Sequence, residues 1–210
     1  MTLFDRAFVA NPLIAILRGL EPSRALDVAG ILVGAGFRII EVPMNSPNPL
    51  TSIERIASKF GDSVVVGAGT VLTENEVVAV HGAGGQIIVA PNMNSNVAAQ
   101  ASALDMKWCP GVLTPTEAFA ALDLGAAVLK IFPAELVSPK VISAMRAVLP
   151  KDALLAVVGG ITPETMNDYR KAGADSFGLG SALFKPSYDM SELKVRSEAF
   201  VTAFEKGKNL

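Results

Sequence analysis

A lysine and a glutamate stand inside apolar stretches of this chain, where ionisable side chains are rare. Lys130 lies in the sequence Ala-Val-Leu-Lys-Ile-Phe-Pro, and Glu41 lies between Ile39-Ile40 and Val42-Pro43. Burial disfavours the charged form of an amine, which lowers its pKa and makes the neutral nucleophile accessible. A neutral amine attacks a ketone to form a Schiff base, and a nearby carboxylate can move the protons. The same two residues are equally consistent with a buried structural ion pair.

Two glycine-containing segments near the end of the chain have the composition of anion-binding loops. They are Val158-Gly159-Gly160-Ile-Thr and Leu179-Gly180-Ser181-Ala. Glycine lets backbone N–H groups approach an anion closely, and a following helix start adds a favourable dipole. One glycine pair is commonly only a tight turn. Two such segments after the last two predicted strands favour a phosphate site at these two loops.

Arg18 and Thr70 have side chains that suit a carboxylate. Arg18 follows an apolar run and offers a two-pronged guanidinium contact, with a surface pair to Glu21 as the alternative. Thr70 ends the sequence Gly67-Ala-Gly-Thr and offers a hydroxyl. Further candidates stand near the ends of other predicted strands: Asn45, Pro91, Asn92, Val158 and Gly159.

Elements that place these residues can be predicted from the apolar pattern. Eight continuous apolar runs alternate with helix-length segments, as expected of parallel strands covered on both faces. The runs cover residues 13–17, 39–42, 64–66, 87–90, 108–109, 128–132, 153–158 and 177–179. Eight strand–helix units predict a single-domain (β/α)₈ TIM barrel over residues 1–210, with a doubly wound open sheet as the alternative.

Helix ends are predicted by capping residues, prolines and glycines. Helix starts are predicted at Glu21-Pro22-Ser23, Ser46-Pro47, Thr114-Pro115, Ser138-Pro139 and Thr162-Pro163. Helix C-terminal ends are predicted at Gly36, Gly84, Gly125 and Gly173, and their recurrence indicates a repeated (β/α)₂ unit. Residues 4–9 are expected to form a helix beneath the barrel, and residues 192–206 the last helix.

The composition excludes several classes of protein. Half of the 210 residues are hydrophobic, 18% are charged and the net charge is −2, so the chain is neither disordered nor a broadly basic nucleic-acid binder. The apolar runs are too short for a membrane span, and the start lacks the pattern of a secretory signal. A cytoplasmic protein without a metal site built from cysteines is expected. Cys109 and Trp108 are expected in the core and His81 at the surface.

Eight segments of the sequence resemble the 2-keto-3-deoxy-6-phospho-sugar-acid aldolases, the KDPG/KDPGal aldolase family. In family order they are Ala15-Ile-Leu-Arg-Gly, Ile40-Glu-Val-Pro-Met, Val66-Gly-Ala-Gly-Thr-Val-Leu, Cys109-Pro-Gly, Thr114-Pro-Thr-Glu-Ala, Leu129-Lys-Ile-Phe-Pro-Ala, Val158-Gly-Gly-Ile-Thr-Pro-Glu and Gly178-Leu-Gly-Ser. The resemblance implies a class I aldolase of (β/α)₈ fold that is usually trimeric and needs no metal or other cofactor.

Roles for individual residues also follow from the resemblance. Lys130 would be the Schiff-base lysine and Glu41 the proton shuttle. Arg18 and Thr70 would bind the pyruvate-derived half of a phosphorylated 2-keto-3-deoxy sugar acid. The substrate's 6-phosphate would be bound by Gly160, Gly180 and Ser181.

Asn45 and Val158 bear on the C4 epimer of the substrate. The gluconate branch of the family often has arginine at the position of Asn45 and threonine at that of Val158, so the resemblance favours the galactonate branch. Because one hydroxyl contact is worth about 1 kcal/mol, some activity on both epimers is expected. The rival interpretations are a gluconate-series aldolase, a phosphosugar isomerase or synthase barrel, and a non-catalytic phosphosugar-binding barrel.

Overall fold

Strands and helices alternate along the chain in the computed structural model, which describes residues 1–208. The strands are β1 (Leu13–Ile16), β2 (Ile39–Pro43), β3 (Val65–Gly69), β4 (Ile87–Val89), β5 (Lys107–Cys109), β6 (Gly111–Val112), β7 (Leu129–Ile131), β8 (Leu155–Val158) and β9 (Ser176–Leu179). The helices are α1 (Leu3–Ala10), α2 (Ala25–Ala35), α3 (Pro49–Phe60), α4 (Glu74–Gly82), α5 (Ser95–Ala103), α6 (Pro115–Asp123), α7 (Pro139–Val148), α8 (Pro163–Lys171) and α9 (Met190–Lys208). Short 3₁₀ turns cover Pro22–Arg24 and Ala134–Leu136. The last two residues of the predicted domain lie outside the described residues.

The strands form one parallel sheet that closes at Pro110. Pairing runs in the order β5-β4-β3-β2-β1-β9-β8-β7-β6, and β5 and β6 together occupy one position of the barrel. Two hydrogen bonds join the region of β7 to the junction of β5 and β6. The amide of Ala127 donates to the carbonyl of Trp108 at 2.8 Å, and the amide of Lys130 donates to the carbonyl of Pro110 at 2.9 Å. Proline has no N–H to add to a ladder, which explains the break. The predicted TIM barrel is confirmed, and the open-sheet alternative is wrong.

Two apolar layers hold the barrel together. The larger one lies between the strands and the surrounding helices, and the smaller one fills the barrel interior. Phe4 and Ala7 of α1 pack into the interior layer beside Ile14, Ile39 and Val65. This packing confirms the predicted helix below the barrel. In the described part of the chain, every helix is too short or too polar to span a bilayer.

Most predicted helix ends agree with the structure, and one does not. Gly36, Gly84, Gly125 and Gly173 all have positive φ, as predicted. The helix predicted at Ser46-Pro47 begins instead at Pro49. The hydroxyl of Ser46 accepts a hydrogen bond from the amide of Gly19 at 3.0 Å, so this residue connects two strand ends rather than capping a helix.

Candidate active site

Alternate residues of each strand face the barrel interior, and this alternation brings the predicted site residues together. Ile39 belongs to the interior layer, so Glu41, two residues further along β2, faces the same way. The same spacing relates Val128 to Lys130. Ionisable groups thus continue the stack of apolar side chains at its upper end.

A cavity of about 640 Å³ opens at the C-terminal ends of the strands. Ten of the predicted site residues line it: Arg18, Glu41, Thr70, Pro91, Lys130, Val158, Gly159, Gly160, Gly180 and Ser181. Asn45 and Asn92 do not line the cavity. Phe132, Glu135 and Lys185 also line it, and the sequence did not single them out.

Glu41 and Lys130 are buried in the deep end of the cavity without forming a direct ion pair. Their exposed fractions are 2% and 8%. Within residues 1–208, the ion pairs that bring nitrogen and oxygen within 4.0 Å join other residues. Oε2 of Glu41 is buried and has no hydrogen-bond partner. The structural ion pair considered above is therefore not formed, and a carboxylate oxygen stays available.

Burial controls the electrostatics of both groups. Desolvation raises the pKa of Glu41 to about 7, although the charges of Lys130 and Arg18 oppose the shift. Desolvation lowers the pKa of Lys130, with Glu41 opposing the shift and Arg18 adding to it. Nζ of Lys130 lies 4.6 Å from the centroid of the Phe132 ring. Burial thus favours the neutral form of both groups: the carboxyl of Glu41 titrates near neutral pH, and the amine of Lys130 loses its proton more easily than an exposed lysine does.

Gly69 makes room for the Glu41 carboxylate. A Cβ atom built on Gly69 would lie 1.4 Å from Oε2 of Glu41, so no other residue type fits without moving that side chain. In the sequence, Gly69 stands out only as part of the segment Gly67-Ala-Gly-Thr that ends at Thr70. Counting alternate residues along β3 would have placed Gly69 on the interior face.

Arg18 is held at the cavity mouth by two polar side chains. Its Nη1 donates to Oδ1 of Asn45 at 2.5 Å, and its Nη2 donates to Oγ1 of Thr70 at 3.3 Å. Thr70 has a φ of 55°, a left-handed conformation that is uncommon for threonine. The alternative in which Arg18 pairs with Glu21 is wrong. Asn45 contacts Arg18 and does not itself line the cavity.

The other end of the cavity is formed mainly by backbone. Gly159 and Gly160 have φ values of 118° and 63°, which turn the chain after β8. Gly180 and Ser181 follow β9 on the neighbouring side of the opening. The Glu135 side chain lies against Gly159, since a Cβ there would be 2.2 Å from Oε2 of Glu135. Polar backbone surrounds this end, with one acidic side chain among it.

Trp108, Cys109 and His81 lie where the sequence predicts them. Trp108 and Cys109 are buried, and burial raises the pKa of the Cys109 thiol to about 12, so it is a poor nucleophile. His81 is exposed on α4. Among residues 1–208, no three His, Cys, Asp or Glu side chains are grouped so that they could hold a metal ion.

Comparison with known proteins gives matches over nearly the whole chain. The family model described as KDPG and KHG aldolase matches residues 5–195. The 2-dehydro-3-deoxy-6-phosphogalactonate aldolase of Escherichia coli (strain K12) is 44% identical over 195 residues, which cover 93% of this chain and 95% of that protein. The KHG/KDPG aldolase of the same strain is 26% identical over 170 residues, or 80% and 78% of the two chains. A solved structure described as native KDPGal superposes with a TM-score of 0.93 at 43% identity and covers 95% of this chain and 97% of the other.

Proposed function

The chain belongs to the KDPG and KHG aldolase family, and on that premise we propose that it cleaves 2-dehydro-3-deoxy-6-phospho-D-galactonate to pyruvate and D-glyceraldehyde 3-phosphate. The observation that carries the proposal is the burial of Lys130 and Glu41 in one cavity without a direct ion pair. A lysine whose pKa is lowered and a carboxyl whose pKa is raised toward neutrality are the two groups that Schiff-base chemistry requires.

Imine formation is the first chemical step. The neutral amine of Lys130 attacks C2 of the ketone, and the resulting carbinolamine loses water to give a protonated imine. Glu41 carries the proton that the departing hydroxyl needs. Its unpartnered Oε2 is free to make this contact once substrate is bound.

Carbon–carbon cleavage uses the protonated imine as an electron sink. The C4 hydroxyl loses its proton to Glu41, the C4 oxygen becomes an aldehyde, and the electrons of the C3–C4 bond move through the imine to form an enamine. D-Glyceraldehyde 3-phosphate departs. Glu41 returns the proton to C3 of the enamine, and water hydrolyses the imine to pyruvate and free Lys130.

We assign different groups of the cavity to the two halves of the substrate. The carboxylate of the pyruvate half is assigned to Arg18 and Thr70, whose polar ends lie 3.3 Å apart and can both contact one anion. We assign the 6-phosphate to the backbone at Gly160 and Gly180 and the hydroxyl of Ser181. The phosphate is thereby separated from the reacting atoms by the length of the substrate.

The galactonate epimer is favoured over the gluconate epimer for two reasons. The galactonate-series relative is 44% identical, against 26% for the KHG/KDPG aldolase of the same strain. Val158 lines the cavity and has no hydroxyl to contact the C4 hydroxyl of the substrate. Cleavage of 2-dehydro-3-deoxy-6-phosphogluconate is the second candidate function. Comparing kcat/KM for the two phosphorylated acids distinguishes between the two candidate functions.

Trapping with borohydride tests the proposed chemistry. The protein is incubated with pyruvate and sodium borohydride, and its intact mass and peptide map are measured. We expect one reduced pyruvyl adduct on Lys130, also in a Lys107→Ala control that removes a lysine of β5. No adduct on folded protein that still binds phosphosugar would contradict the aldolase mechanism and favour a binding barrel.

We also propose that the chain forms a homotrimer. Eight of the twelve large apolar side chains that are exposed among the described residues lie between residues 72 and 148: Leu72, Val78, Leu113, Phe119, Leu124, Leu136, Val141 and Val148. Contacts between subunits would cover part of this apolar surface, and a cyclic trimer is a closed assembly that can do so. Native mass spectrometry should give three copies, and a fully active monomer would contradict the proposal.

A cytoplasmic location is part of the same proposal. A phosphorylated acid carries charges that are costly to move into a bilayer, so its aldolase is expected where the acid is made. Cell fractionation with an antibody to the protein tests this location.

A further inference from the structure

Lys185 to Tyr188 form a segment at the edge of the cavity, which we call the rim segment. Lys185 and Pro186 line the cavity beside Gly180 and Ser181. A Cβ atom on Gly19 would lie 2.8 Å from Cγ of Pro186, so the rim segment packs directly against the end of β1. The rim segment therefore connects the proposed phosphate loop with the segment after β1 that holds Arg18 and Gly19.

Without the rim segment, the loops at Gly160 and Gly180 offer no positively charged side chain to balance the charge of a bound phosphate. A phosphate monoester carries about −1.5 to −2 charges near neutral pH, and glycine loops supply only dipoles. Glu135, against Gly159, adds a negative charge at the same place. Among the positively charged lining residues, Lys130 is buried with Glu41, and Arg18 donates to Asn45 and Thr70, which leaves Lys185 as the cation that follows the Gly180-Ser181 loop.

Lys185 is free to turn toward an anion. Its side chain is exposed, and its Nζ lies 5.6 Å from the centroid of the Tyr188 ring. The ion pairs of residues 1–208 do not include it. An ammonium on a flexible stem above Gly180 and Ser181 is suited to meet a phosphate as a point charge.

Arg24 holds the rim segment from the adjoining 3₁₀ turn. Its Nη1 donates to the carbonyl of Pro186 at 2.5 Å and its Nη2 to that of Tyr188 at 2.6 Å. These two hydrogen bonds hold the backbone on both sides of Ser187 in place. The fork of a guanidinium is rigid, so it fixes the orientation of the rim segment as well as its distance.

Tyr188 transmits this restraint to the phosphate loop. Its hydroxyl donates to the carbonyl of Ser181 at 3.4 Å, and the guanidinium of Arg196 lies 4.4 Å from the centroid of its ring. Arg196 also donates to the carbonyl of Ala182 at 3.0 Å. Arg24, Tyr188 and Arg196 thus connect the rim segment, the loop after β9 and α9.

We propose that Lys185 binds the phosphate of the substrate and that Arg24 is a positioning residue that holds Lys185 and Ser181 for that contact. This inference rests on the proposed function, because it assumes that a phosphate enters between Gly160 and Gly180. Phosphate recognition then depends on a side-chain charge as well as on the glycine backbone.

Substitution of Lys185 tests the phosphate contact. Lys185→Ala is expected to raise KM for the 6-phosphorylated acid about 10- to 100-fold, as for loss of a hydrogen bond between charged groups, with kcat changed less than about threefold. Lys185→Arg should keep most of the affinity. The aldol addition of pyruvate to unphosphorylated D-glyceraldehyde should proceed at the wild-type rate in both variants. Lys171→Ala, which removes an exposed lysine from the C-terminal end of α8, is the control.

Substitution of Arg24 tests the positioning role. Arg24→Ala should raise KM for the phosphorylated acid about 10-fold and leave borohydride trapping of pyruvate intact, while Arg24→Lys restores part of the affinity. Arg55→Ala is the matched control, because Arg55 donates to the backbone carbonyl of Pro22 at 2.8 Å without touching the rim segment. Equal losses with phosphorylated and unphosphorylated substrates would identify Arg24 as merely structural.

Two outcomes keep this inference separate from the proposed function. If the wild type cleaves the phosphorylated acid and Lys185→Ala has an unchanged KM, the role of Lys185 is wrong and the aldolase proposal stands. If the wild type cleaves neither epimer, the proposed function fails. In that case, calorimetric titration of wild type and Lys185→Ala with inorganic phosphate tests whether Lys185 contacts phosphate. Weaker binding by Lys185→Ala would support the contact, and equal affinity would overturn it.

Discussion

The end of the cavity that holds Lys130 and Glu41 is formed by buried side chains, whereas the end that holds Gly160 and Gly180 is formed by backbone at the surface. The two ionisable groups at the deep end are at most 8% exposed, and their pKa values move toward neutrality because of that burial. At the outer end, Ser181 and Lys185 are exposed. We therefore expect reactivity to depend on the interior of the barrel and substrate affinity on its rim.

This difference predicts how each end responds to substitution. A change at the deep end alters the protonation or position of a reacting group, so it should lower kcat. A change at the outer end removes one of several contacts to a charged ligand, so it should raise KM. Substitutions at the deep end that mainly raise KM, or at the outer end that mainly lower kcat, would contradict this division.

Loss of the Lys130 amine is expected to have the largest effect. Lys130→Ala removes the proposed nucleophile of every covalent step, so turnover should fall by at least about 10⁴-fold. Pyruvate release is measured in a coupled assay, and the adduct by intact mass. Ser181→Ala is the companion variant from the outer end, and it should mainly weaken affinity for the phosphorylated acid. Equal, modest losses in both variants would contradict the division between the two ends.

Crowding of Glu41 through Gly69 is expected to have the next largest effect. Gly69→Ala forces the carboxylate away, because the added Cβ would lie 1.4 Å from Oε2, and kcat should fall about 100-fold as proton transfer is lost. Gly30→Ala is the control, since a Cβ there meets no atom within 4 Å. Because Gly69 acts through Glu41, adding Gly69→Ala to Glu41→Gln should cost little more. A full additional 100-fold loss in the double variant would show that Gly69 affects something else.

The pH dependence of kcat/KM tests the raised pKa of Glu41, which results from the burial of its carboxyl group. Its pKa is raised to about 7, so the carboxylate gains a proton as the pH falls through 7 and can no longer accept one from the C4 hydroxyl. We expect kcat/KM to fall about tenfold per pH unit below 7. Glu41→Gln should have low activity without this acid limb. An acid limb near pH 4.5 would mean that Glu41 titrates as it does in an unfolded chain.

Much of the fold could be predicted from the sequence because buried parallel strands are continuously apolar. All eight runs became barrel strands, and the left-handed glycines ended helices where expected. The break at Pro110 and the helix start at Pro49 were missed. Both depend on which backbone groups meet across neighbouring strands, and that register is not visible in a local pattern.

The chemistry of the site was easier to predict than its surroundings. Lys130 and Glu41 stand out because charges are rare in strands, and both line the cavity as expected. Gly69 and Glu135 were missed because their effect arises only when distant segments pack together. Lys185 follows a recognised glycine loop by a few residues, but exposed lysines are too common for sequence alone to single one out.

Val158 lies between the two ends, and its substitution should have the smallest effect. Val158→Thr supplies a hydroxyl of nearly the same shape to the substrate's C4 region. One neutral hydrogen bond is worth about 1 kcal/mol, so the preference for the galactonate epimer over the gluconate epimer should fall about fivefold. The measurement is the ratio of kcat/KM for the two phosphorylated acids. Val157→Thr is the matched control, because Val157 belongs to the apolar layer outside the barrel and Val158 to the layer inside. If both variants change the ratio equally, the effect comes from packing and Val158 does not select the epimer.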